Sequence, residues 1–133
     1  MNLRRHRRLV QGILAAVAAA FGLVTIWAGT RVLAGADPGY IVYRPLLLYN
    51  TAMGVAYLVA TVIIWRSIVS GKLAAATIFV LNLVVLGGIG YLYANGYGVA
   101  SESIRAMTFR TGVWLGLYLG LVWLGRGRPA PVA

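Results

Sequence analysis

The chain has no cysteine, a single histidine and only two acidic residues, Asp37 and Glu102, in 133 positions. Each scarcity removes a kind of chemistry. Without cysteine there are no disulfides, thiolate metal ligands, iron–sulfur clusters or thiol nucleophiles. The one histidine, His6, stands among Arg4, Arg5, Arg7 and Arg8. Neither a pair of haem-ligating histidines on facing helices nor an imidazole base inside an apolar segment is therefore available. Charged residues make up 11% of the chain and hydrophobic residues 61%, against roughly 25% charged in soluble domains. That balance excludes a soluble globule, and the inventory points to no metal site and no cofactor.

Long apolar runs take the place of the missing groups. Four segments, about Leu9–Gly29, Leu46–Trp65, Leu73–Ala94 and Ile104–Leu124, approach the ~20 residues needed to cross about 30 Å of hydrocarbon. They predict an all-α membrane protein, a four-transmembrane-helix antiparallel bundle forming one integral membrane domain over residues 1–133. A basic start before the first run resembles a signal peptide, and Ala34 and Ala36 before Asp37 leave a weak cleavage-like pattern. The run exceeds the apolar core of about 7–15 residues usual in such peptides, so it is read as a retained helix.

The formal charge of +10 would suggest nucleic acid in a soluble chain, but here the basic residues flank apolar segments, and no nucleic-acid partner is expected. They set orientation instead, because Lys and Arg in short loops stay on the cytoplasmic side. One side collects Arg4, Arg5, Arg7, Arg8, Arg66, Lys72, Arg126 and Arg128; the other holds Arg31, Arg44, Arg105 and Arg110. Eight against four puts both termini in the cytoplasm. Richness in Ala, Gly and Arg adds the expectation of a bacterial cytoplasmic (inner) membrane.

Short connections and turn chemistry complete the layout. Arg66–Lys72 forces an antiparallel hairpin. The first outer loop carries Asp37-Pro38-Gly39 and leads into Arg44-Pro45, with proline suited to a first helical turn. The second carries Asn95-Gly96-Tyr97-Gly98, and Ser101 or Ser103 can cap the last helix beside Glu102. The proline-containing tail after Gly127 is expected to be mobile.

Arg110 is the most informative residue. The uncharged run after it, Thr111–Leu124, has 14 residues, or about 21 Å, too short to span alone. A helix starting near Ile104 carries Arg110 roughly 9 Å below the outer surface, where ionisable groups are costly and usually paired or functional. Its guanidinium either snorkels back to headgroup phosphates or meets a dedicated ligand or partner. Glu102 and Arg105 are spaced to form a surface pair.

Small residues recur at every fourth position. Gly112, Gly116 and Gly120 form such a ridge in the last segment, Ala52, Ala56 and Ala60 in the second, and Gly12, Ala16 and Ala20 in the first. They are read mainly as packing inside the bundle, with an oligomer or partner interface as the alternative. At 100° per residue, Arg110, Trp114, Leu117 and Leu121 lie roughly opposite the glycine ridge, and Asn50, Gly54, Tyr57 and Thr61 opposite the alanine ridge. If the small ridges close the bundle, these polar and aromatic faces meet lipid, ligand or another protein. If the polar faces point inward, the ridges become the outer surface.

Candidate ligand, partner or lipid-headgroup residues are thus Arg110, Trp114, Arg44, Asn50 and Tyr57, with no catalytic residue among them. Asn50 and Asn82 are expected to hydrogen-bond between helices, and Tyr40, Tyr43, Tyr49, Tyr91, Tyr93 and Tyr97 to form an interfacial belt. The Arg4–Arg8 cluster determines topology or meets anionic lipid. Small multidrug transporters carry a glutamate in their first helix and haem-bearing quinone-oxidoreductase anchors carry helix histidines; both features are missing.

Three functions are left to weigh. A non-catalytic accessory or assembly subunit of a larger membrane complex, holding a lipid or cofactor at the interface, fits the absence of catalytic groups. A homo-oligomeric transporter, channel or flippase fits if its substrate is an anion or a lipid, since no span carries a carboxylate for cation coupling. An enzyme would have to work from Glu102, Asp37, tyrosines and arginines alone. Membrane lipids, other subunits or further copies of the chain are the expected partners.

Overall fold

In the computed structural model, which describes residues 3–126, the chain is all-helical. The helices are α1 (Leu3–Leu33), α2 (Arg44–Arg66), α3 (Ile68–Ala94) and α4 (Ser101–Arg126). All four are long and apolar enough to cross a membrane. At 1.5 Å per residue they measure about 35 to 46 Å against roughly 30 Å of hydrocarbon, so each extends beyond its apolar run into headgroup territory. Arg128 and the tail lie outside the described residues.

Helix ends follow from local chemistry. α1 and α3 both stop in the same glycine motif. Past α1, the Gly35 N–H donates to Val32 O at 3.0 Å and the Ala36 N–H to Arg31 O at 3.0 Å. Past α3, Gly96 donates to Tyr93 O at 3.2 Å and Tyr97 to Leu92 O at 3.0 Å. Gly35 and Gly96 have φ of 111° and 76°, a region that side-chain-bearing residues avoid, and the two bonds satisfy carbonyls left over at each helix end. The Asp37 carboxylate accepts from the Gly39 N–H at 2.8 Å, which folds the first loop. α4 begins on the Ala100 carbonyl, which accepts from Ser103 and Ile104.

The connection between α2 and α3 is tighter than the expected Arg66–Lys72 loop. Ser67 alone joins them, extended at φ −152° and ψ 127°. Its N–H donates to Ile63 O at 2.9 Å, its carbonyl accepts from Gly71 at 2.9 Å, and its hydroxyl accepts from Ser70 N at 3.2 Å. Such a sharp corner needs α3 to start against the backbone of α2. Gly71 allows it, because a Cβ there would sit 2.8 Å from Ile64 Cα.

Buried positions on α1 are Ala15, Ala18, Gly22, Thr25 and Gly29, and on α3 Ile68, Gly71, Ala75, Ile78 and Asn82, with Ile89 seven residues further on. Both sets alternate steps of three and four, a 3.5-residue repeat that keeps one seam turned toward neighbouring helices. The α1 seam is small, so α2 approaches closely: a Cβ on Gly22 would lie 3.0 Å from the Gly54 carbonyl oxygen, and one on Gly29 would collide with the Thr51 side chain. Early residues of one helix meet late residues of its neighbour, as in Gly12 with Trp65 and Leu14 with Gly120. Along the centre Tyr57, Ile64, Trp114, Leu121 and Leu124 are fully buried.

Candidate functional site

The polar and aromatic faces turn inward. Trp114 and Tyr57 are fully buried, with ring centroids 4.9 Å apart, so these two pack against each other in the core. The Trp114 Nε1 donor has no hydrogen-bond partner among the described residues. Asn82, also fully buried, ties α3 to α2: its carbonyl oxygen accepts from the Tyr49 hydroxyl at 3.0 Å and its amide donates to the Tyr57 hydroxyl at 3.2 Å. Satisfying both ends of the amide removes the cost of a polar group in an apolar interior. Asn50 is half-buried with its carbonyl oxygen unpartnered, in a small pocket of about 60 Å³ shared with Ser103.

With these faces inside, part of the small ridges is left outside. Gly112 and Gly116 are exposed, and a Cβ on either would meet nothing within 4 Å. Ala16, Ala20 and Ala52 are also exposed and Ala56 half-buried. The ends of the ridges behave differently: Gly120 packs on Leu14, with 3.1 Å to a Cβ, and Ala60 is 2% exposed.

Arg110 sits between these two environments. It lies nine residues into α4, about 13 Å along the axis, and not far from the helix midpoint. Its guanidinium donates across to the Thr25 hydroxyl of α1 at 3.0 Å and stands 5.9 Å from the Phe21 ring centroid. Thr25 is eight residues before the end of α1, about 12 Å along that axis, so donor and acceptor lie at similar distances from their helix ends. Phe21 is itself held between Tyr57, at 6.0 Å, and Phe109, at 5.7 Å.

Around this guanidinium, α1 and α4 leave a groove of about 490 Å³ between Ala20 and Val24 on one wall and Ala106 and Phe109 on the other. Val24 is 63% and Phe109 65% exposed, so the groove opens away from the core. A guanidinium has five N–H donors. Among the described residues one goes to Thr25. Neither acidic side chain is near: Glu102 is exposed eight residues earlier on α4 and Asp37 is exposed in the first loop. The fold therefore keeps a cation at depth in an apolar, outward-facing groove without a carboxylate beside it.

Arg44 is exposed at the start of α2 and does not line this groove. Tyr91, Tyr93 and Tyr97 are exposed toward the loop end. A second groove of about 650 Å³ lies at the other end, where Arg4, Arg5 and Arg8 overhang an apolar floor of Leu9, Ile13 and Trp65.

Sequence reasoning singled out Arg110 but missed Thr25, Phe21 and Phe109. The signal for Thr25 was present, since it falls in the three–four register of Ala18, Gly22 and Gly29 and at nearly the same distance from its helix end as Arg110. Gln11 was also missed: its amide donates to Ile64 O at 2.7 Å and Trp65 O at 3.2 Å, capping the free carbonyls that end α2. Compared with protein-family models, curated proteins and solved structures, the chain matches none, so its site stands on its own geometry.

Proposed function

We infer that this protein is a non-catalytic accessory or assembly subunit of a larger membrane complex. It acts as an antiparallel four-helix bundle in a bacterial cytoplasmic (inner) membrane, with both termini inside. The observation that carries the reading is Arg110, held by Thr25 in an apolar groove that opens outward and contains no counter-charge. A guanidinium in hydrocarbon costs about 3 kcal/mol on insertion scales and is normally offset by a partner. The interior supports a structural role: fully buried Trp114, Tyr57 and Leu121 fill it, and none of the apolar runs 9–29, 46–65, 73–94 and 104–124 contains a histidine, cysteine or carboxylate. The basic-residue asymmetry supports the orientation, and the arginine-rimmed groove near Trp65 suits anionic lipid.

A second reading, a homo-oligomeric transporter, channel or flippase for an anionic or lipid substrate, is favoured by one observation, the outward-facing Gly112 and Gly116. Their open ridge permits close approach of another helix, including that of a second copy. Gentle extraction from native membranes separates the two. Co-purification with unrelated membrane subunits in fixed proportion is expected; a stable homo-oligomer with no other protein would sink the accessory role.

A further inference from the structure

Resting on the accessory-subunit reading, we propose that the α1/α4 groove receives an apolar membrane-spanning helix of another subunit carrying a single carboxylate, with Arg110 as its counter-charge. Depth is the first argument. α4 has 26 residues, about 39 Å, so with some 30 Å of hydrocarbon centred on it the Arg110 backbone lies about 9 Å below the hydrocarbon edge. Phospholipid phosphates stay above that edge. The guanidinium is held by Thr25 at 3.0 Å, a residue about as far from its helix end as Arg110 is from its own, and it lines the groove.

Charge is the second argument. The chain has two acidic side chains, Asp37 and Glu102, and both sit near helix ends rather than at the depth of Arg110. A second copy docked groove to groove would bring a like charge toward Arg110, and the apolar runs of its other helices carry no carboxylate to pair with it. A carboxylate from a different protein at matching depth satisfies the guanidinium and is itself relieved of an unpaired charge in hydrocarbon. Shape agrees: the small side chains of Ala20 and Ala106 line the groove, as close helix contact requires.

The test uses the full chain in phosphatidylcholine vesicles with synthetic Leu/Ala helices of about 22 residues, long enough to span. One carries Glu about six residues inside the end that shares the loop end of the protein, a second Gln at that place, a third Glu in the opposite half. Association is read by energy transfer. The depth-matched Glu helix is expected to bind at least about tenfold more tightly than either control, the lower range of measured coupling for close charge pairs. Arg110→Gln removes that preference, and Arg110→Glu transfers it to a helix with Lys at the same place. Equal binding of the Glu and Gln helices to the unaltered protein overturns the proposal, whatever the variants do. So does loss of bound phosphatidylglycerol on Arg110→Gln, read in parallel vesicles that contain that lipid, without any Glu preference, which assigns the guanidinium to a lipid phosphate. If native subunits still co-purify with Arg110→Gln and the Glu helix shows no preference, the groove assignment falls and the accessory role stands. If the Glu helix binds but native membranes yield only homo-oligomer, the subunit reading falls and takes the proposed partner with it.

Discussion

A single amide, that of Asn82, shows how polar residues are afforded inside this protein. It uses both its oxygen and its nitrogen, on Tyr49 and Tyr57, and so fixes the register of α3 on α2. Replacing it with leucine leaves two phenol hydroxyls in an apolar interior without their partner. Asn82→Leu is expected to lower stability by about 1–3 kcal/mol, since an orphaned buried polar group costs more than the bond contributed. Adding Tyr49→Phe and Tyr57→Phe should recover part of that loss, because the orphans are then removed. Denaturant unfolding in micelles measures both. No recovery in the triple variant would mean that packing around Asn82, not its hydrogen bonds, carries the effect. That Asn82 would bond between helices was legible from its residue type and position. Its tyrosine partners were not, because Tyr49 read equally well as a member of the interfacial belt.

The elements were readable to different degrees. Composition gave four helices, since hydropathy over some 20 residues averages out local detail. Their ends ran beyond the apolar runs because arginines and serines continue a helix into headgroups as readily as apolar residues do. The one-residue corner at Ser67 depends on Gly71 lying against Ile64, a long-range fit that a local window does not contain. The every-fourth pair Gly112 and Gly116 stands outside, while the close seam pairs Gly22 and Gly29, seven residues apart in the three–four register of α1, with the α2 backbone near Gly54 and Thr51.

A contrast in glycine substitution follows from that division. Gly71→Ala and Gly54→Ala should destabilise by about 1–3 kcal/mol, the usual range for overpacking. At Gly71 the added methyl meets backbone at 2.8 Å, and at Gly54 it meets Ile26 Cγ1 at 2.6 Å. Gly116→Ala, into open space, should leave unfolding unchanged or slightly raise stability through helix propensity. Thermal unfolding of the three variants side by side checks the order, and equal losses at all three would contradict the assigned seam.

At the scale of the molecule, one end is marked by two loops and exposed tyrosines, the other by the Ser67 corner and the arginine-rimmed groove, and the interior by packed aromatic side chains. Arg110 is the feature whose charge this arrangement meets with no carboxylate among the described residues, only a hydrogen bond to Thr25 and the ring of Phe21. Its importance was legible because 14 uncharged residues cannot span. That it opens into a groove with α1 was not, since this depends on which faces of α1 and α4 meet.

The most direct test of that account is site-specific photo-crosslinking in native membranes, with the reactive group placed at Ala106 in the groove and, as a control, at Val84, which is 67% exposed on α3. From Ala106 the account predicts one major adduct, to a membrane-spanning segment of a different protein that contains an acidic residue, and its loss on Arg110→Leu; from Val84 it predicts none of that adduct. Adducts from Ala106 only to lipid or to a second copy of the chain, or an adduct unchanged by Arg110→Leu, would contradict it.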